Sequence, residues 1–287
     1  MKDGIQFSEV ADLRLWIVKL GAGQHLQTAM SRNLYSTIRC GTSRTIRCTS
    51  IIRRHIGSQQ IKIKPMTKHS TKEGEQGRMR VLVACEESQA VCMAFRERGH
   101  EAYSCDLLPC SGGHPEWHIR ADVRTLLNDY FDLVIFHPPC TILSNSGVRW
   151  LHEIDGRWDE LAMAIEFFNL RHKFNSPKVA TENPVPHKYA VRGRYLDGSG
   201  IGKEDQAFQP WHFGHRKMKE TRLWLKGLPL LQWTNVVGPP PKNKAERRKW
   251  ADCWMASPGP DRARIRSITY PGVAAAMASQ WSPNLNF

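Results

Sequence analysis

Short apolar runs alternate with amphipathic stretches from residue 79 onward. Strands are predicted at five of these runs: Arg80–Cys85, Ala102–Cys105, Asp132–Phe136, Lys178–Thr181 and Leu223–Leu225. Helices are predicted between or after them: from Ser88 as N-cap to Arg98, from Trp158 to His172, from Lys244 to Ala256, and from about Val273 to Trp281. This alternation predicts an α/β fold with a doubly wound, mostly parallel sheet that helices cover on both faces.

Residues 1–78 lack such a pattern and carry 14 Lys and Arg against 5 Asp and Glu. A basic, disordered N-terminal extension is the favoured interpretation, followed by a catalytic domain over residues 79–287. A translated upstream segment before Met79 is the second interpretation. A cleaved transit peptide is the least favoured, because Asp3, Glu9 and Asp12 stand near the start.

Charge and cysteine usage narrow the class of protein. The formal net charge is +14, of which residues 79–287 hold +5, and a positive balance suits a polyanion such as DNA. None of the eight cysteines forms a CxxC pair, which favours a reducing cytoplasm over a disulfide framework. No apolar run approaches the roughly 18 residues that would span a bilayer, so no membrane association is expected. A monomer is expected.

The strand ending at Phe136 is followed at once by His137, Pro138, Pro139 and Cys140. Two prolines cannot continue a strand, so the chain turns there and places Cys140 at a carboxyl strand end, where open α/β sheets bind ligands. A free cysteine is usually a small buried hydrophobe, but the polar residues after Cys140 favour a partly exposed nucleophile. Glu182, at the end of the next strand, is the acid expected beside it.

Further acidic residues follow the earlier strands: Glu86 and Glu87 after the first, Asp106 after the second, and Asp122 at the start of a short helical stretch. Carboxylates at such positions can accept the hydroxyl groups of a ribose. Taken singly, each is as readily an N-cap or a turn residue.

Four segments together resemble the DNA cytosine-5 methyltransferases, with similarity to short phage-type members over residues 79–287. They are Pro138-Pro139-Cys140-x-x-Leu143-Ser144-x-x-Gly147, Glu182-Asn183-Pro184, Lys219–Leu225 with Arg222, and Tyr270–Ala274. The resemblance implies a Rossmann-like methyltransferase fold and S-adenosylmethionine as methyl donor. It also implies a role in DNA methylation, as in restriction-modification, in a bacterial or phage-infected cell.

The resemblance further implies a role for individual residues. Cys140 would add to C6 of cytosine, Glu182 would contact and protonate N3, and Arg222 would hold the O2 side. The cofactor-binding residues that it implies are Glu86, Glu87, Asp106, Asp122 and Pro138. The target base would be extruded from duplex DNA before reaction.

The chain differs from the family pattern in three places. The turn Cys85–Ala90 after the first strand contains no glycine, so cofactor binding is inferred from the fold and from the later carboxylates. Lys219 and Glu220 occupy the region of the family's first arginine. About fifty residues separate Arg222 from Tyr270, where sequence-reading members insert a large domain. Little sequence specificity is therefore expected, or reading by the loop 186–209.

Other functions compete with this hypothesis. An amino-directed DNA methyltransferase also has a Pro-Pro loop at this strand end, but it needs an aromatic residue where Cys140 stands. A non-catalytic nucleic-acid-binding module could use the Lys242–Lys249 run, although a solvated helix face explains that run as well. Cys105, Cys110, His114 and His118 do not have the spacing of a known zinc finger, and no metal site is expected.

Overall fold

The computed structural model describes residues 77–251, 255, 259 and 262–283. These described residues belong to one compact unit. The extension predicted over 1–78 lies, apart from its last two residues, outside them and stays a prediction. None of the described helices is both long and apolar enough to cross a bilayer.

Within the described residues, seven strands form one sheet. Strands β1 to β7 span Arg80–Ala84, Glu101–Asp106, His118–Arg120, Leu133–Phe136, Val179–Pro184, Gln206–Phe208 and Thr221–Lys226. Helices α1 to α7 span Ala90–Glu97, Trp150–Glu153, Arg157–Phe168, Lys188–Arg192, Lys244–Arg248, Arg262–Ser267 and Pro271–Trp281. Short 3₁₀ helices span Pro115–Trp117, Val123–Leu126, Asn145–Gly147, Asn169–His172 and Pro210–His212.

The strand order is β3-β2-β1-β4-β5-β7-β6. Strands β1 to β5 pair in parallel, and β7 runs antiparallel to both of its neighbours. The order reverses between β1 and β4, which is where open sheets of this type bind ligands. The predicted doubly wound, mostly parallel fold class is confirmed.

Apolar side chains fill both faces of the sheet. On one face Val81, Val83 and Ile135 pack with Phe95 of α1 and Trp281 of α7. The other face is covered by α3 and by the segments around 123–131 and 170–174. Full burial of a side chain as large as Phe95 contributes about 1.5–3 kcal/mol, so the sheet is a firm platform for the loops at its edge.

Three local features differ from the predictions. Strands β3 and β6 were not expected, because each has only three residues and lies at an edge of the sheet. Strand β5 continues through Glu182 to Pro184, because all three residues pair with β7. Ser88 is not the N-cap of α1; that position is Gln89, in a left-handed conformation.

Candidate functional site

The carboxyl ends of β1, β4 and β5 lie side by side in the sheet, and each is followed by titratable side chains. Glu86 follows β1, His137 and Cys140 follow β4, and Glu182 lies near the end of β5. The backbone amide of His137 donates to the carbonyl of Ala84, which continues the pairing of the strands to this point. The candidate residues that the sequence predicted after these strands therefore lie along one edge of the sheet.

The loop that carries Cys140 is held by the chain after β5. The amide of Asn145 donates to the carbonyl of Val185, and the ring nitrogen Nε2 of His187 lies 2.9 Å from the carbonyl of Ile142. Leu143 is fully buried beneath the loop. These contacts fix the position of Cys140 relative to the end of β5.

A methyl group at Gly147 would lie 2.7 Å from the carbonyl oxygen of Thr141. That approach is closer than a Cβ tolerates, so this turn of the loop requires glycine. Pro138 is buried and Pro139 is exposed at the start of the same loop.

Cys140 is only partly exposed and lies in the electrostatic field of several groups. Burial raises the pKa of its thiol, and the negative charge of Glu182 raises it further. The positive charges of Lys219 and Arg266 act in the opposite direction without reversing the shift. In the resting protein Cys140 is therefore a thiol at neutral pH.

Glu182 is 17% exposed, and its Oε2 lies 3.4 Å from Nδ1 of His137. Burial alone would raise the pKa of this carboxyl, but the hydrogen bond with His137 and the charge of Lys219 outweigh it, so the pKa is lowered. Glu182 is a carboxylate at neutral pH. The structure thus brings together the predicted nucleophile and the predicted acid, with the proton on sulfur.

Arg222 does not join this pair. In the β5–β7 pairing Glu182 lies opposite Leu223, whereas Arg222 lies opposite Asn183. Opposed residues share a face and successive residues alternate, so Glu182 and Arg222 point to opposite faces of the sheet.

Arg222 instead makes two ion pairs on its own face. Its Nη1 lies 2.5 Å from Oε1 of Glu204, and its Nη2 pairs with Glu220. The contact of Arg222 with a base, implied by the resemblance, is not supported by this placement.

Lys219, which precedes β7, supplies the positive charge near Cys140 and Glu182. It acts on both Cys140 and Glu182, and its Nζ lies 3.3 Å from the carbonyl of Ile268. Thr221, opposite Pro184, donates from its hydroxyl to the carbonyl of Lys219 at 3.1 Å and helps to lower the pKa of Glu182. Strand alternation counted back from Leu223 would have pointed to these residues, but only once the register with β5 was known.

The turn after β1 forms without glycine. Cys85 and Gln89 adopt φ angles of 61° and 60°, in the left-handed region that glycine usually occupies. The buried side chain of Gln89 offsets this cost, because it donates to the carbonyl of His114 at 2.8 Å and accepts from the amide of His114 at 3.0 Å. It also donates to the hydroxyl of Ser104 at 3.2 Å.

Glu86 stabilises this turn from within. Its two carboxylate oxygens accept from the amides of Val91 and Cys92, at 2.7 and 3.2 Å, and so cap α1. Burial raises the pKa of Glu86, and the nearby charge of His137 together with the two amides works against that shift. Glu86 therefore serves the fold rather than offering its oxygens to a ligand.

The segment after β2 packs on this turn. The amide of Ser111 donates to the carbonyl of Glu87, and a Cβ at Gly112 would lie 2.6 Å from Cβ of Gln89. Asp106 accepts from the amide of Leu108. Asp122 caps the 3₁₀ helix that follows β3 and accepts from the amide of Arg124.

The residues around this crevice fit S-adenosylmethionine. Among the described residues, Oε1 of Glu87 is buried without a hydrogen-bond partner, and it could accept from the ammonium group. Leu107, directly after Asp106, is 53% exposed and could cover an adenine face. Asp106 stands at the strand end where a ribose hydroxyl is usually bound.

No protein-family model matches the chain, and no curated protein matches it. Among solved structures, a prophage-encoded E. coli protein assigned as a DNA modification methyltransferase is 14% identical, with a TM-score of 0.36 over 54% of this chain and 51% of its own. An rRNA methylase from E. coli is 15% identical, with a TM-score of 0.28 over 52% and 57%. Dnmt2 methyltransferase from S. pombe is 13% identical, with a TM-score of 0.33 over 62% and 54%. The chain spans little more than half the length of each.

Proposed function

We propose that this chain transfers a methyl group from S-adenosylmethionine to C5 of cytosine in DNA, through a covalent adduct on Cys140. The observation that carries the proposal is the placement of Cys140 and Glu182 at the ends of the adjacent parallel strands β4 and β5, with the charge of Lys219 acting on both. Their order along the chain is the one that the cytosine-5 resemblance requires. We expect one target cytosine to be extruded from the duplex and to enter the site beside Cys140.

The pair holds one proton, and addition to cytosine requires that this proton move from the sulfur of Cys140 to N3. The thiol proton passes to the Glu182 carboxylate while the Sγ–C6 bond forms. The C5–C6 π bond breaks, its electrons move through C4 to N3, and N3 takes up the proton from Glu182. One proton therefore passes from Cys140 to N3 with Glu182 as the intermediary, and the step needs no external acid. Covalent addition divides a difficult substitution at C5 into two easier steps.

The remaining steps return the enzyme to its starting state. The bound cofactor would supply the methyl group as an electrophile to C5. The proton on C5 is then lost to solvent water, the Sγ–C6 bond breaks as the C5–C6 double bond forms again, and the proton on N3 returns through Glu182 to the sulfur. Lys219 stabilises the negative charge that passes between sulfur and carboxylate during this cycle.

Lys219 also takes the place that the resemblance implies for Arg222. Its ammonium group is a compact donor on a flexible stem, so it can follow a charge that moves between two groups. We assign to Lys219 the contact with the O2 side of the base. Glu87, Asp106, Leu107 and the buried Pro138 would line the cofactor side of the pocket, while Glu86 and Asp122 hold the turns.

The test is transfer of tritium-labelled methyl groups from S-adenosylmethionine to mixed-sequence DNA, with digestion to identify the methylated nucleoside. We expect 5-methylcytosine from the full chain and none from Cys140→Ala. The matched control is Cys92→Ala, a buried core cysteine in α1, which should retain transfer. DNA with fluorine at C5 should trap a protein–DNA adduct, because the C5 proton is then missing.

Three results would overturn the proposal. Transfer that persists in Cys140→Ala would exclude this nucleophile. Label on an exocyclic amino nitrogen would establish the amino-directed reaction. DNA binding that weakens with salt, without any transfer, would establish a non-catalytic module.

A further inference from the structure

Three titratable side chains from adjacent strand ends, one buried and two partly buried, form a row that crosses the candidate site. They are Glu86 after β1, His137 after β4 and Glu182 on β5. Glu86 is 6% exposed, and the side chains of His137 and Glu182 are 13% and 17% exposed. Buried polar groups that serve only the stability of a fold normally have hydrogen-bond partners. The contacts of His137 therefore indicate whether it has a role beyond stability.

His137 is held firmly but is only half satisfied. Its backbone amide is fixed to the carbonyl of Ala84, and its Nδ1 contacts Oε2 of Glu182 at 3.4 Å. Among the described residues, its Nε2 is buried without a hydrogen-bond partner. Leaving such an atom unpaired costs about 1–3 kcal/mol, so stability alone does not account for a histidine here.

The charges around the ring come from every neighbouring element. Glu86 and Glu87 lie on the β1 side and Glu182 on the β5 side, while Cys140 lies on the same loop as His137. Lys219 before β7 and Arg266 of α6 act on the Cys140–Glu182 pair from the far side. The ring of His137 thus stands between the carboxyl groups of Glu86 and Glu182.

We infer that His137 is a positioning residue that holds Oε2 of Glu182, so that the other carboxylate oxygen faces the base. The inference rests on the proposed function for its effect on transfer. The contact with Glu182 itself is independent of that function.

The test compares His137→Asn with the wild type. Asparagine preserves a hydrogen-bond donor near Nδ1 but cannot carry charge. We expect kcat for methyl transfer to fall by about 10²-fold, the loss typical of a misplaced reacting group, with KM for DNA little changed. The acidic limb of the kcat profile should move to higher pH, because the contact with His137 helps to keep the pKa of Glu182 low.

A second measurement does not depend on activity. The carboxyl carbon of Glu182 can be followed by ¹³C NMR during a pH titration and assigned with Glu182→Gln. Its midpoint should move to higher pH in His137→Asn. The control is His114→Asn, which removes the histidine of an exposed pair with Glu116. It should change neither the midpoint nor kcat.

The outcomes separate the two proposals. An unchanged midpoint and an unchanged kcat profile in His137→Asn would overturn the inference while methyl transfer stands. A shifted midpoint in a protein that methylates nothing would overturn the proposed function and leave the role of His137 in positioning Glu182. If His137→Asn fails to fold, His137→Gln provides the same test with a longer amide.

Discussion

The turn after β1 and the loop after β4 lie side by side and use their polar residues in opposite ways. In the turn, Glu86 caps α1 with both oxygens, and Gln89 makes three hydrogen bonds. In the loop, Nε2 of His137 has no hydrogen-bond partner within the described part of the chain, and Cys140 lies among opposed charges. The polar side chains of the turn stabilise its conformation, whereas those of the loop are the ones to which we assign the proposed chemistry.

The absence of glycine from the turn after β1 does not prevent the turn from forming. The left-handed positions are present, at Cys85 and Gln89, and side-chain hydrogen bonds offset the cost that glycine would avoid. Glu86 contributes to this structure, whereas Oε1 of Glu87 is buried and has no hydrogen-bond partner among the described residues. Variants in the loop should therefore change chemistry, and variants in the turn should change stability.

The largest effect is expected for Glu182→Gln. Transfer should fall by about 10²–10⁴-fold, because glutamine cannot pass a proton to N3. The same change should speed alkylation of Cys140 by iodoacetamide at neutral pH, since the negative charge of Glu182 raises the pKa of the thiol. A slower alkylation would contradict the electrostatic coupling of the pair.

Lys219→Met and Arg222→Met should have different effects, because Lys219 acts on Cys140 and Glu182 whereas Arg222 lies on the opposite face of the sheet. Lys219→Met should slow alkylation of Cys140, because the ammonium group lowers the thiol pKa, and should reduce transfer by about 10–10²-fold. Arg222→Met should leave alkylation unchanged. It should lower the free energy of unfolding by about 1–2 kcal/mol, because Glu204 and Glu220 lose their partner at partly exposed positions.

The opposite pattern, with Arg222→Met abolishing transfer in a stably folded protein, would restore the role that the resemblance implied. Alkylation rates, transfer rates and urea unfolding of both variants provide the comparison. The wild type and Lys219→Arg, which keeps the charge, serve as controls.

Gly112→Ala should disturb the contact between the turn and the segment after β2. The new methyl group would lie 2.6 Å from Cβ of Gln89 and from the carbonyl oxygen of Ser88, so the segment must move. We expect a loss of about 1–3 kcal/mol in the free energy of unfolding, together with weaker binding of S-adenosylmethionine in calorimetry.

Gly113→Ala is the matched control for Gly112→Ala. A Cβ there meets nothing within 4 Å, and only the positive φ of 87° opposes it. It should cost about 1 kcal/mol and leave the cofactor affinity unchanged. Equal affinities in the two variants would show that the segment does not border the cofactor site.

The sequence predicted what depends on local pattern and missed what depends on register. Five strands and the meeting of Cys140 with Glu182 follow from apolar runs and from the order of parallel strand ends. The side to which Arg222 points depends on its pairing with Asn183 across β5 and β7, and no local pattern contains that information. The capping role of Glu86 was missed for a related reason, since the two amides that donate to it lie five and six residues ahead, beyond the usual N-cap distance.

The smallest effect tests how the turn does without glycine. Gln89→Ala and Gln89→Gly both remove the hydrogen bonds to Ser104 and His114, but only the glycine variant relieves the left-handed φ of 60°. Both should be less stable than the wild type. Gln89→Gly should be the more stable of the two by about 1 kcal/mol in urea unfolding, which is the typical cost of this conformation for a residue with a Cβ. Equal stabilities of the two variants would mean that residue 89 leaves the left-handed conformation once the glutamine side chain is lost. The hydrogen bonds of Gln89 would then be what keeps the backbone in that conformation.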